Sequence, residues 1–528
     1  MTTRRTDFVG DLSPRRREAD RARVAAQRAP WDVLVVGGGV TGVGVALDAA
    51  SRGLSVLLVE AHDLAFGTSR WSSKLVHGGL RYLASGRVGI AWESAVERNH
   101  LMTTIAPHLV SPLTQAIPIR RSVPGGPSGV RGRLDAATSS AMVHSGLVLG
   151  DLLRRGARTP REVLAPPRRI HADDLRRLCP AVSADGLVGA WTSQDGQLVD
   201  DARLVVAIAR TAAAHGATIV TRMRAEQVTG RGARLVDTTT GDTVDVAARA
   251  VVNATGVWAD TVDASIAVRP SRGAHLVVDA ARLGNPTAAL TVPVAGSRSR
   301  FVFAIPAQLG RVHIGLTDTD APGPVPDVPQ ATDDDVDFIL DTLNVALAQP
   351  LSRNDVIGTF AGLRPLLESD GETADVSREH SVSRNDDGVI TVVGGKLTTY
   401  RRMASDALDA AIAHSGLDAH PCVTASIPLI GAQGTRNRRL PASLLARHGG
   451  EADRVVAMST VGAPLAPIAP GVDVTRAEIE FAVIAEGAVD ADDILHRRTR
   501  IGLVDADTAR ARPAVVHILD QIGAAHSA

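Results

Sequence analysis

The sequence predicts an α/β fold with a helical C-terminal part, and three observations carry that reading. Residues 32–36 are an apolar, β-branched run that ends in three glycines and leads into a helix-forming stretch. Two more strand-then-glycine segments follow, RAVVNATG at 249–256 and VITVVGGKLTTYRRM from Val389. Beyond residue 425 the pattern turns helical, with Thr475 and Glu478 spaced as a capping box before an apolar run.

In chain order, residues 1–29 form an arginine-rich polar arm without the apolar core of a secretion signal. Its apolar face is poor, so a flexible or loosely helical tail is expected rather than a membrane anchor. Residues 32–36 suit a buried parallel strand. Gly37, Gly39 and Gly42 then follow with GxGxxG spacing, and Gly38 and Thr41 belong to the same turn. The first glycine permits the tight turn, the second lets a pyrophosphate approach the backbone, and the third lets helix pack on strand. The helix N-terminus presents amides to the phosphates. Residues 56–59 read as a second buried strand, and Glu60 closes it, roughly twenty residues on and placed to accept hydrogen bonds from a ribose. A glycine-rich turn alone would be weak; strand, helix, strand and acid in register point to a bound dinucleotide. Several spaced glycine segments converging on one extended cofactor suit FAD better than a compact NAD module. No second intact GxGxxG occurs, so electrons are expected to leave to something other than NAD.

Residues 111–190 and 257–350 show short β-type runs, such as RFVFAIP and RVHIGLTD, between proline- and glycine-rich turns. SVPGGPSGVRG reads as a flexible loop, because proline interrupts its glycines and no strand leads in. APGPVPDVPQATDDD reads as a linker that then starts a helix.

The totals bound the function classes. The length suits roughly two to four domains. Formal net charge is zero, so bulk charge favours neither nucleic acid nor an anionic membrane. Cys179 and Cys422 sit in no CxxC or Cys/His cluster, which argues against zinc, iron–sulfur or disulfide frameworks and fits a reducing cytoplasm. No stretch approaches the roughly 20 apolar residues that span a bilayer.

Only two lysines and two tyrosines occur, and all four fall in two short motifs: Lys74 and Tyr82 in SSKLVHGGLRY, Lys396 and Tyr400 in GGKLTTY. Elsewhere arginine carries the positive charge. An ammonium is a compact point charge and a guanidinium a planar fork, so retention of lysine at these two places suggests a chemical reason.

TSRWSSKLVHGGLRYL, DGQLVDDARL, VVNATGVW, AGLRPL and GGKLTTYR, in that order behind the glycine fingerprint, resemble the FAD-dependent, aerobic-type, quinone-linked glycerol-3-phosphate dehydrogenases. The resemblance runs from about Trp31 to about Arg402 and resumes in VTRAEIEFAVIAEGAVDADDILHRRTRIGL. It implies an α/β oxidoreductase domain over 30–425 with a Rossmann-like FAD-binding part (two-dinucleotide-binding, D-amino-acid-oxidase-like) from about 30–110, 191–256 and 351–415. An inserted β-sheet substrate part would come from about 111–190 and 257–350, and a helical C-terminal domain from 426–528. It also implies oxidation of sn-glycerol 3-phosphate to dihydroxyacetone phosphate, with electrons passed to a membrane quinone by a cytoplasmic protein that sits on the inner face of the membrane without spanning it.

Residue by residue, Gly37, Gly38, Gly39, Thr41, Gly42 and Glu60 match the adenine-dinucleotide grip. Thr68, Ser69, Ser72, Ser73 and Lys74 match the segment along the diphosphate and flavin. His77 and Gly79 of HGG, Gly256 of NATG, and Gly395, Lys396, Leu397 and Thr398 of GGKLT complete the cofactor contacts. Arg81, Tyr82, His275, Arg364, Arg378 and Lys396 match the substrate side. One departure stands near the site: the family's IGTTD is IGLTD here, Gly315 to Asp318, so one hydroxyl is missing.

Oxidising a secondary alcohol with a flavin requires a C2–H aimed at the flavin, an acceptor for the hydroxyl proton, and a clamp on the phosphate. Arg364 suits the clamp, since guanidinium can hold phosphate bidentately, with Arg378 and Arg81 as seconds. Lys396 would favour negative charge developing during hydride transfer; the positive end of the helix it precedes otherwise disfavours a cation. His275 is the candidate base, and Tyr82 hydrogen-bonds substrate or packs. No metal site is expected. The C-terminal unit carries no chemistry of its own, and packing, a homodimer contact or membrane apposition stay open. The same fold also serves oxidases that use oxygen and amine or amino-acid oxidases; a non-catalytic flavoprotein fits the residues least.

Overall fold

Val33, Leu34 and Val35 are wholly buried because the strand Trp31–Val36 is covered on both faces. It pairs in parallel with Val56–Glu60 on one side and Thr243–Asn253 on the other. The computed structural model describes residues 9–79, 87–121, 129–297, 300–367 and 379–527, without side chains for 129–139 and 525–527. The first sheet runs His380–Arg384, Ile390–Gly394, Thr243–Asn253, Trp31–Val36, Val56–Glu60, Thr218–Thr221, and Met223–Thr229 with Gly232–Asp237 extends it as a hairpin. Alternation along the strand sends Val33 and Val35 toward the helices Val40–Ser51, Asp201–Ala214 and Tyr400–Ser415, and Leu34 and Val36 to the other face.

The described part of the N-terminal arm takes the helical alternative of that expectation, but it is packed rather than loose. Pro14–Ala26 is a helix whose N-cap Ser13 accepts from the Arg16 amide at 3.2 Å, and Val24 is buried with Trp31 and Leu34. Its arginines finish the edge of the sheet: Arg16 donates to the Ala217 carbonyl at 3.2 Å, Arg23 to Thr218 Oγ1 at 3.1 Å, and Arg21 pairs with Asp237. Charges that read as solvated instead cover an edge strand.

The second sheet has ten strands, mostly antiparallel, running Thr319–Asp320, Val268–Asp279, Arg311–Gly315, Phe301–Ala307, Ala289–Pro293, Val110–Arg120, Leu187–Leu198, Leu75–Val76. Val356–Leu367 joins Val268–Asp279, and Arg168–His171 joins Leu187–Leu198. Leu187–Leu198 and Val356–Leu367 therefore belong to this sheet, and the return to the first sheet comes after each rather than at 191 and 351. The 111–190 stretch also holds a 28-residue helix, Gly129–Gly156. Its glycines dilute the helical signal and hid it among apparent β runs. Of the expected loop SVPGGPSGVRG, residues 122–128 lie outside the described residues and 129–132 open this helix.

Near the C-terminus Thr475 and Glu478 form the expected capping box at the start of Arg476–Ile484, which packs with Asp505–Ser527 around Phe481 and Ile518. Buried ion pairs fasten this unit to the first sheet. Arg203 meets Glu486 at 2.5 Å, Arg210 meets Glu451 at 2.7 Å, and Asp63 takes Arg498 at 2.8 Å and Arg497 at 2.6 Å. No helix among the described residues is long and apolar enough to cross a membrane.

Candidate active site

The glycine turn is built as tightly as its spacing requires. Gly37 adopts φ +109°, and a Cβ there would stand 2.7 Å from the Ala254 carbonyl oxygen. A Cβ on Gly42 would collide with the Gly37 carbonyl, so the helix Val40–Ser51 rests directly on the turn. Its N-cap is Gly39, which offers no side-chain cap. Glu60 closes the arrangement: Oε2 accepts from the Gly38 amide at 2.7 Å and Oε1 from the His62 amide at 2.8 Å. Burial raises its pKa, and each oxygen keeps a further lone pair for a hydroxyl.

A cavity of about 750 Å³ extends from this turn to the second sheet. It is lined by Gly37, Gly39, Thr41, Glu60, Thr68, Ser69, Ser72, Ser73, His77, Gly256, Gly395, Lys396, Leu397 and Thr398, and by His275 and Arg364 at the far end. Four sequence-derived residues stand back from it. Gly38 commits its amide to Glu60, Gly42 supports Gly37, and Gly79, at φ +79°, packs on Ala91. Lys74 lines a second cavity instead. Arg81, Tyr82 and Arg378 lie outside the described residues.

The far end is set by strand register. His275 pairs with Gly315 on one neighbour and with Phe360 on the other, and Ser271 of the same strand pairs with Arg364. Glycine makes the room: a Cβ at Gly315 would strike the His275 ring, and one at Gly273 the Arg364 guanidinium. His275 Nε2 lies 2.8 Å from Ser73 Oγ, the ring stacks on Phe360 at 4.6 Å, and Nδ1 is buried without a hydrogen-bond partner among the described residues. Burial first, then the charges of Lys74 and Arg364, hold its pKa well below the usual histidine value, so the imidazole is neutral. Arg364 Nη1 meets Asp318 Oδ1 at 3.2 Å and Nη2 meets the Thr317 carbonyl at 3.3 Å. Lys396 donates to Ser94 Oγ at 2.8 Å from the N-cap of the short turn Leu397–Thr399.

Sequence reasoning missed much of the far end of the cavity. Asp318 lies in the IGLTD segment, but nothing in its spacing announced an ion pair with Arg364. Leu316, which replaces the hydroxyl residue there, also lines the cavity. Arg300, Phe301 and Phe303 line it from the start of a strand. Arg300 rests on the Phe338 ring at 5.6 Å and has no ion-pair partner among the described residues. In a chain this rich in arginine it carried no signal of its own.

Residues 32–401 match the family described as FAD dependent oxidoreductase, and residues 422–523 match the C-terminal domain of alpha-glycerophosphate oxidase. The chain belongs to the FAD-dependent oxidoreductases. Glycerol-3-phosphate dehydrogenase 1 of Mycobacterium tuberculosis is 54% identical to this flavoprotein over 510 residues, covering 94% of this chain and 96% of that one. The mitochondrial glycerol-3-phosphate dehydrogenase of Bos taurus is 33% identical over 539 residues, covering 93% and 70%. Among solved structures, the glycerol-3-phosphate dehydrogenase from Bacillus halodurans complexed with FAD matches with a TM-score of 0.72 at 26% identity, over 97% of this chain and 94% of that chain.

The residues present fit FAD as the cofactor. Gly37 and Gly39 leave backbone without side chains where a diphosphate would pass, and Glu60 stands at the end where a ribose would lie. Gly256, at φ +64°, faces open space in which a Cβ would touch nothing. No cluster of His, Cys, Asp or Glu suited to a metal occurs among the described residues.

Proposed function

We propose that this flavoprotein oxidises sn-glycerol 3-phosphate at C2 to dihydroxyacetone phosphate and passes the electrons to a membrane quinone. The observation that carries the reading is the placement of His275: a buried imidazole, one ring nitrogen of which has no hydrogen-bond partner among the described residues, in one cavity with Arg364 and Lys396. FAD, when bound, supplies the two-electron acceptor for the hydride from C2. His275 takes the hydroxyl proton, so loss of H⁺ and H⁻ together leaves the ketone. Arg364 holds the phosphate as a guanidinium fork, with its own orientation fixed by Asp318 and Thr317. Lys396, steadied by Ser94, places a point charge where the C2 oxygen turns negative. Fixing the pose in this way supplies part of the roughly 7–11 kcal/mol available from orientation at its best.

An apolar surface supports the quinone. Met142, Val148, Leu149 and Leu152 of the helix Gly129–Gly156 are exposed, as are Val88 and Trp92 of the packed helix Val88–His100. Met142 also lines the cavity, so this surface reaches the site. A patch of this kind suits peripheral contact with the inner face of a membrane and access for an apolar acceptor.

The test is anaerobic: sn-glycerol 3-phosphate is added to purified holoenzyme while the oxidised-flavin absorbance is followed. Rapid bleaching is expected, with faster reoxidation by a quinone than by oxygen. A flavin that stays oxidised would overturn the substrate, and faster reoxidation by oxygen would overturn the acceptor.

A further inference from the structure

Lys74, one of only two lysines, does not face the flavin cavity, and the chemistry above leaves it unused. We propose that Lys74 and Asp201 are positioning residues for proton transfer at His275: they pin the 72–74 turn so that Ser73 meets Nε2, and they set a cation beside the histidine stack. The inference rests on the reading of His275 as base.

The geometry is a three-residue lever. Oδ2 of Asp201 accepts from the Ser72 amide at 2.9 Å, from Ser72 Oγ at 2.9 Å and from Lys74 Nζ at 3.2 Å. Lys74 closes the turn on itself, its amide donating to Ser72 Oγ at 2.9 Å and Nζ to the Ser72 carbonyl at 3.1 Å. It does so at φ +57°, a left-handed conformation that a residue with a Cβ holds only when its surroundings over-determine it. The residue between these two anchors is Ser73, whose hydroxyl reaches His275 Nε2. Phe360 joins the parts: His275 stacks on its ring at an interplanar angle of 6°, and Lys74 Nζ lies 4.7 Å from the same centroid.

The charged and titratable groups around His275 are Lys74, Arg364 with its partner Asp318, and His313, which meets the Phe360 ring edge-on at 5.3 Å. Asp200, Asp201 and Arg500 stand behind Lys74. His313 is itself held neutral by burial and Lys74. Lys74 is thus the cation that a single substitution removes without touching the phosphate clamp.

The experiment reads His275 directly in the holoenzyme by ¹⁵N NMR of histidine-labelled protein from pH 5 to 8, with His275→Gln used for assignment. In the wild type one neutral tautomer is expected across the range. In Lys74→Met the imidazole should take up its proton at higher pH than in the wild type. In Asp201→Asn it should do so at no higher pH, while the single tautomer gives way to a mixture as Ser73 loosens. Flavin reduction in Lys74→Met should fall below the wild-type rate as pH drops toward 5 and match it at pH 8, where burial and Arg364 still keep the imidazole unprotonated. A His275 signal unchanged in both variants overturns the proposal. If Lys74→Met fails to fold, Asp201→Asn and Ser73→Ala decide it, since both must change the tautomer. The ¹⁵N readout needs no substrate, so absence of bleaching by sn-glycerol 3-phosphate would reject the substrate reading separately.

Discussion

Arg364 and Asp318 meet at the far end of the cavity, Nη1 to Oδ1 at 3.2 Å, so the guanidinium is held in one orientation there. Asp318 also takes Ser271 Oγ at 2.8 Å. Removing the charge in Arg364→Gln should cost about 1.5–3 kcal/mol of substrate binding, or roughly 10- to 150-fold in kcat/KM, mostly in KM. Asp318→Asn should cost less, because the guanidinium survives but loses its guide. Steady-state kinetics with sn-glycerol 3-phosphate check both; an unchanged KM in Arg364→Gln would remove Arg364 from the clamp.

Buried histidines should make stability fall as the pH drops below about 6.5. Burial and neighbouring arginines push His108 down to about 3 and His496 to about 4. A lowered folded pKa means the unfolded chain takes up the proton first as pH falls. Stability from these groups is therefore full above about pH 6.5 and lost below it, by about 1.4 kcal/mol per pH unit for each histidine until its folded pKa is reached. His108→Gln should flatten the dependence of the urea midpoint between pH 6.5 and 5 by one such increment; an unchanged slope would show that His108 does not contribute.

Asp63 joins the C-terminal unit to the loop after Glu60 through Arg497 and Arg498, both buried. Replacing it with asparagine takes the carboxylate from Arg498 and leaves Arg497 with Asp493 alone, a loss of about 3–5 kcal/mol for a broken buried pair. A clear drop in Tm and earlier proteolysis of the C-terminal unit are expected. A Tm unchanged from the wild type would mean the pair is not formed.

The cofactor half of the fold was legible because its constraints are local. Gly37, Gly42 and Glu60 act within one strand, turn and helix, where spacing along the chain is distance in space. The substrate end was legible only in part. Asp318, Arg300 and Phe303 meet the cavity through antiparallel pairing of strands distant in sequence, and no short-range pattern encodes that register. The packing of Pro14–Ala26 was missed for a related reason: its arginines look solvated until the edge strand Thr218–Thr221 supplies their acceptors. Lys74 stood out by composition, yet only the Asp201 carboxylate explains which way it points.

Leu149 and Leu152 test the membrane reading without touching the chemistry. Both are about half exposed, 49% and 55%, on one stripe of the helix Gly129–Gly156, and neither lines the cavity. Replacing both with glutamate puts two charges where an apolar surface would enter the interface; with two half-exposed leucines lost, each about half of the ~1.5–3 kcal/mol of a full burial, membrane binding should weaken by at least tenfold. Co-sedimentation with anionic vesicles should fall, and turnover with a membrane-embedded quinone should fall with it. Anaerobic bleaching by sn-glycerol 3-phosphate should keep its wild-type rate, since Arg364, Lys396 and His275 are untouched. Vesicle binding that survives the double substitution would place the membrane contact on another face. Slower bleaching would instead mean that this helix shapes the substrate end, through Met142 and Leu147 on its cavity side.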